Sequence, residues 1–102
     1  MFVPSERVMQ RVLKGLFSAT RGGPTRLHII MLIEKKPANM NQIARELDID
    51  YKTVQHHVRI LVKNGLVVSS KKKYSDTYKL SGLAETYRDV FHQMASHMGK
   101  RT

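Results

Sequence analysis

The stretch MNQIARELDIDYKTVQHHVRILVKNGLV, residues 40–67, carries the pattern from which the rest of the chain is read. Asn39 precedes it and Gln42 follows three residues later, the N-x-x-Q form of a capping box that opens a helix. Ile43, Ala44 and Leu47 then form an apolar stripe at helical spacing. Small Ala44 leaves room for a second helix to approach. Asp48-Ile49-Asp50 breaks the period. Asp50 is placed to cap a second helix, its carboxylate near free N–H groups and the positive end of the helix dipole. The spacing predicts that helix over Tyr51–Asn64, with Val54, Val58, Leu61 and Val62 on the buried face. Gly65 stands where a left-handed residue ends a helix.

Two capped helices joined by a three-residue turn, with apolar Ile49 plugging the turn into the core, outline a helix-turn-helix. In such a pair the second helix lies in the major groove and reads bases with residues near its start. Here those are Tyr51, Lys52, Thr53, Gln55, His56 and Arg59. Gln pairs bidentately with adenine, Arg with guanine, and Thr offers a hydroxyl or methyl. Lys52 suits a phosphate. No acid occurs from Tyr51 to Asn64. Asn41 and Gln42, at the start of the first helix of the pair, are expected to orient it on the duplex.

Downstream the period becomes strand-like. Leu66–Ser70 and Thr77–Leu80 read as a hairpin, joined by the basic connection Lys71-Lys72-Lys73-Tyr74-Ser75-Asp76. Lys71, Lys72, Lys73 and Tyr74 are candidate backbone contacts. Ser81 then caps a final helix over 82–98, striped by Leu83, Tyr87, Val90, Phe91, Met94 and Met98. Upstream, Thr25 is a candidate cap for a helix with Leu27, Ile30, Met31 and Ile33 facing inward, ended by Pro37. His28 reads as partly buried. A leading helix over 4–20, capped by Ser5 after Pro4, carries Val8, Met9, Val12, Leu13, Leu16 and Phe17. Gly22-Gly23-Pro24 separates the two.

The expected fold is mainly α with a small β-hairpin: a winged helix-turn-helix with extra N- and C-terminal helices, in one domain over 1–102. The 102 residues carry 18 Lys+Arg against 8 Asp+Glu, a net charge of +10 that suits a polyanionic partner. Cysteine is absent, which excludes disulfides, thiolate metal sites and a cysteine nucleophile. No phosphate loop, Ser/His/Asp arrangement or paired carboxylate stands out, so an enzyme is not expected. The apolar run Ile29–Ile33 is far short of the roughly 20 residues of a membrane span. The N-terminus lacks the form of a secretory signal, and a cytoplasmic location is expected.

Residues 40–67, with Pro24–Ile30 before them and Tyr78–Ser81 after, resemble the winged helix-turn-helix of ArsR-like transcriptional regulators, especially archaeal members. The resemblance covers about residues 24–81. It implies sequence-directed binding to double-stranded DNA, usually as a homodimer, with Tyr51, Lys52, Thr53, Gln55 and His56 at base-facing positions. His57 matches a histidine common at that place in the family.

Metal-sensing members of the family carry a cysteine motif that this chain lacks. Others bind metal through the terminal helix. Here His92 and His97 stand about 140° apart on such a helix, while Asp89 and His92 share a face. No metal site or cofactor is assigned. The stripes of the two terminal helices suggest a dimer interface built from Met9, Val12, Leu13, Leu16, Leu83, Tyr87, Val90, Phe91, Met94 and Met98, against the alternative that the helices pack on each other within the chain. Two rival functions share the fold: a general architectural DNA-binding protein, and a winged-helix interaction module of the transcription machinery.

Overall fold

A computed structural model describes residues 5–74 and 76–99. In chain order the elements are α1 (Glu6–Leu13), a π-helical turn (Lys14–Ser18), α2 (Gly23–Lys35), α3 (Met40–Leu47), α4 (Tyr51–Lys63), β1 (Val67–Ser69), β2 (Tyr78–Leu80), α5 (Gly82–Thr86) and α6 (Arg88–Gly99). The mainly helical fold with a two-stranded antiparallel hairpin is the one expected.

The helix starts follow short side chains. Ser5 Oγ accepts from the Val8 N–H at 3.2 Å; Pro4 lies outside the described residues. Asn39 and Gln42 close both halves of their capping box, each bond at 2.8 Å. Asp50 accepts from the Thr53 N–H at 3.2 Å and from its hydroxyl at 2.5 Å. Ser81 Oγ accepts from the Ala84 N–H at 3.1 Å and donates to the Gly65 carbonyl at 2.6 Å, tying the end of α4 to the start of α5. Gly65 has φ +77°, the left-handed conformation that ends α4 without a Cβ penalty.

Thr25 does not cap α2. That helix begins two residues earlier, at Gly23, with Gly22 as its cap residue and Pro24 in the first turn. Proline fits there because the first-turn N–H groups lack helical partners anyway. α2 packs against the π turn, α3, α4, β2 and α6. It is accordingly buried on several sides, through Leu27, Ile29, Ile30 and Ile33, and also through Arg26. His28, expected to be partly buried, is exposed, and Met31 is half-buried.

In α3, Ile43 is fully buried and Ala44 and Leu47 half-buried; Ile49 packs against the core from the turn. In α4, Val54, Val58 and Leu61 are buried as expected. Val62 is 39 % exposed, and the buried face includes His57 instead. The strands pair Val67 with Leu80, Val68 with Lys79 and Ser69 with Tyr78. Val67 and Leu80 are buried while Val68 and Lys79 are exposed, the alternation of a half-covered sheet. Ala38 adds a single bridge to β2: its N–H donates to the Tyr78 carbonyl at 3.2 Å, and the Tyr78 N–H donates back at 2.8 Å.

The C-terminal helix expected over 82–98 is two helices. Tyr87, at φ −104° and ψ 20°, ends α5, and α6 follows at once. The break turns Tyr87 onto α1, where its hydroxyl donates to Glu6 Oε2 at 3.0 Å. Phe17 and Phe91 meet edge to face, ring centres 5.3 Å apart. Met9, Leu13, Tyr87 and Phe91 are thus buried within the chain itself. The half-buried Val12, Leu16, Leu83, Val90, Met94 and Met98 remain for any partner. Glu34 of α2 further fixes α6, accepting from His92 Nε2 at 2.9 Å and Arg88 Nε at 3.1 Å.

Candidate nucleic-acid interface

α4 presents an unbroken basic stripe. Lys52, His56, Arg59 and Lys63 recur at i, i+4, i+7 and i+11, within about 60° of one another around the helix. All four are exposed. They line one shallow hollow with Gln55 and Ile60. Lys63 is an addition to the expected contacts; its spacing from Arg59 is the sequence signal that points to it.

A larger groove, about 600 Å³, separates α4 from the hairpin. Asn41, Tyr51, Gln55, Arg59, Lys73 and Tyr74, all expected contacts, line it together. Met40, Val58, Val62 and Tyr78 supply apolar wall. Tyr74 is 89 % exposed, and Lys73 Nζ stands 5.3 Å from its ring centre. Lys71 and Lys72 are exposed beside the groove rather than lining it.

Two expected contacts have other duties. Gln42 Oε1 is taken by the capping box, and the side chain borders a separate hollow with Lys35, Lys36 and Arg45. The Thr53 hydroxyl donates to Asp50, which leaves its methyl and an acceptor lone pair for a base edge. That hydroxyl bond is the first cause holding the Asp50 carboxyl below the ordinary carboxylate range, with the Thr53 N–H second.

Asp76, to which no sequence motif points, organises the hairpin turn. Its Oδ1 accepts from Ser69 Oγ at 2.6 Å, Ser70 Oγ at 3.0 Å and the Lys71 N–H at 3.0 Å. Its Oδ2 accepts from the Tyr78 hydroxyl at 3.3 Å. The Ser69 hydroxyl foremost, with Ser70, Lys71 and Tyr78, lowers its pKa. Lys71 takes φ +60° to complete the turn. A single aspartate thereby sets the direction in which the three lysines leave the sheet.

Behind α4 lies a buried polar cluster. Arg26 is 6 % exposed and His57 7 %. Arg26 Nε donates to the Leu16 carbonyl at 2.9 Å, Nη2 to Thr20 Oγ1 at 2.5 Å and Nη1 to His57 Nδ1 at 3.1 Å. Burial, then Arg26, then His56 lower the His57 pKa, and Arg26, which can only donate, makes Nδ1 the acceptor of the pair. No group of three or more His, Asp or Glu that could hold a metal occurs among the described residues.

A helix-turn-helix whose second helix is basic along its outer face, beside a lysine-tipped hairpin, defines a winged helix-turn-helix. Residues 23–69 match the family model described as bacterial regulatory protein, arsR family. Solved structures share the fold. A homodimeric winged helix-turn-helix DNA-binding domain from Mycobacterium bovis, described as a possible ArsR-family transcriptional regulator, is 20% identical at a TM-score of 0.68, covering 99% of this chain and 93% of that one. ZitR of Lactococcus lactis, solved in complex with DNA, is 19% identical at 0.65, covering 93% and 73%. The adhesin competence repressor of Streptococcus pyogenes is 19% identical at 0.65, covering 91% and 73%. No curated protein matches the chain. No helix among the described residues is long and apolar enough to cross a membrane.

Proposed function

We propose that the chain is a sequence-specific, double-stranded DNA-binding transcriptional regulator of the ArsR type, working as a homodimer in the cytoplasm. The observation that carries this reading is the acid-free stripe Lys52, His56, Arg59 and Lys63, of which Arg59 and Lys63 reach the groove beside the wing. Tyr51, Gln55, His56 and Arg59 read base edges in the major groove. Lys52, Lys63 and the wing lysines bind phosphates, and Asn41 orients the start of α3. Val12, Leu16, Leu83, Val90, Met94 and Met98 supply the surface for a second copy, which would present a second α4 about one helical turn, roughly 34 Å, away. The match to the arsR model and the homodimeric and DNA-bound neighbours support this reading.

Selection of bound duplexes from a random pool tests it. The expected product is a palindromic motif with half-sites about one turn apart. Affinities within a few-fold across unrelated sequences at fixed salt would sink the regulator reading and leave an architectural binder. Analytical ultracentrifugation of the free chain is expected to show a dimer. Asp76→Ala provides a test in which two effects oppose. Removing an acid beside a phosphate should strengthen binding by simple charge, whereas loss of the turn's organiser should weaken it. The expected result is weaker binding, by about threefold to tenfold, read by fluorescence anisotropy, because the three lysines lose their common direction.

A further inference from the structure

The Arg26–His57 cluster takes no part in the proposed DNA contacts, yet it holds the two buried charged or titratable side chains among the described residues. It joins three parts: the π turn through the Leu16 carbonyl, α2 through Arg26, and α4 through His57. The Thr20–Gly23 turn closes over it. A Cβ on Gly22 would stand 2.7 Å from His57 Cε1 and 2.8 Å from Arg26 Nη1, so only glycine lets the turn lie this close. No carboxylate among the described residues lies within ion-pairing distance of Arg26. The guanidinium is held by neutral acceptors alone, and one of them, His57 Nδ1, accepts only while the ring is neutral.

We propose that Arg26 and His57 form a latch that holds α4 in its DNA-reading position, and that protonation of His57 opens it. The inference rests on the DNA-binding reading for its consequence, not for its geometry. Protonated His57 presents an N–H where Arg26 Nη1 already points one, and places two cations together in a site nearly closed to water. The charged and titratable groups that act on the ring are Arg26 from α2 and His56 from α4 itself, both positive when charged; Arg21 of the covering turn is exposed. No carboxylate among the described residues pairs with the new charge. The ring must leave the pocket to be solvated. His57 adjoins His56 on α4, ring centres 5.0 Å apart, so the movement passes directly to the base-reading face.

The sign follows from the lowered pKa. Neutral His57 belongs to the latched state, so latching is complete above the ordinary histidine value of about 6.5 and is lost as the pH falls through the lower value in the folded chain. Exposed His56 lies on the proposed base-reading face next to His57, so it is taken out of the comparison. The test therefore uses His56→Gln as the reference protein. Between about pH 7.5 and about pH 5.5, its affinity for a labelled duplex carrying the selected site should fall by up to roughly tenfold at fixed ionic strength. Adding His57→Gln, which keeps an acceptor for Arg26 but does not titrate, should reduce that fall to within about twofold. Matching pH profiles in the two proteins, both folded at the assay temperature, would overturn the latch.

NMR of the unaltered chain provides a second arm that needs neither DNA nor a folded variant. The His57 ring is expected as the Nε2–H form at neutral pH, and the amides of Val54 to Arg59 and of Thr20 to Gly23 should shift together as it titrates. If the ring titrates alone, or carries its proton on Nδ1, the latch is refuted. Concerted shifts in a protein that binds no duplex would support the latch and refute the DNA-binding reading instead.

Discussion

Replacing Lys71, Lys72 and Lys73 together by alanine is expected to cut the salt dependence of DNA binding while leaving the fold intact. Every phosphate contact that disappears takes about 0.9 from the slope of log affinity against log salt, so three per protomer amount to roughly 2.7. For a dimer the six contacts amount to roughly 5.4, and at about three- to fourfold per contact binding at moderate salt weakens by roughly a thousandfold. The effect should be nearly uniform across sequences, since phosphates carry no base identity. Stability should change little, within about 0.5 kcal/mol, because all three side chains are exposed and the turn is held by Asp76, Ser69 and Ser70. Titrations at several salt concentrations decide the matter. An unchanged slope would mean that the wing meets protein rather than DNA.

The largest expected effect on stability comes from Gly23→Ala. A Cβ there would stand 2.3 Å from the Phe17 carbonyl oxygen and 2.7 Å from its carbon. Both are backbone atoms of the π turn, so no side chain can swing aside. α2 would have to separate from that turn, loosening the Phe17–Phe91 contact and the Arg26 bond to Leu16. Overpacking of this kind costs about 3 kcal/mol or more when backbone must move. For a chain of this size that lowers the melting temperature by more than about 12 °C. Gly15 is the control: a Cβ on it would meet nothing within 4 Å, so Gly15→Ala should melt at or above the parent temperature. Equal melting of the two variants would contradict the packing described.

Features coded by neighbouring residues are legible in the amino-acid sequence alone. The Asn39–Gln42 box, the Asp50 and Ser81 caps and Gly65 each act within a few residues of their own position. Both strands fall within a residue or two of their expected places for the same reason. Arg26 is not legible in this way: an arginine in a helix ordinarily faces water, and its burial depends on the Leu16 carbonyl and on His57, 31 residues away. His57 stands out by resemblance, without a role. The break at Tyr87 is hidden because no Gly or Pro marks it and the apolar stripe runs through; the hydroxyl's bond to Glu6, 81 residues distant, is invisible to a local window. Val62 misleads similarly. Apolar spacing puts it on the inner face, but the groove beside the wing leaves it partly open.

The bridge between Ala38 and Tyr78 bears on the entropy of binding. Its paired backbone bonds fasten the first residue of β2 to the segment between α2 and α3, while Ser69 closes the ladder from the other strand. The base of the wing is therefore ordered by the fold itself. Immobilising a free residue costs about 1–2 kcal/mol of backbone entropy, and at Ala38 and Tyr78 that cost is met by folding rather than by binding. Amide exchange would show the division directly, slow at Ala38 and Tyr78 and fast from Lys72 to Tyr74. On the DNA-binding proposal, the hairpin would meet a duplex with its base already in place, which keeps the ordering cost of binding small.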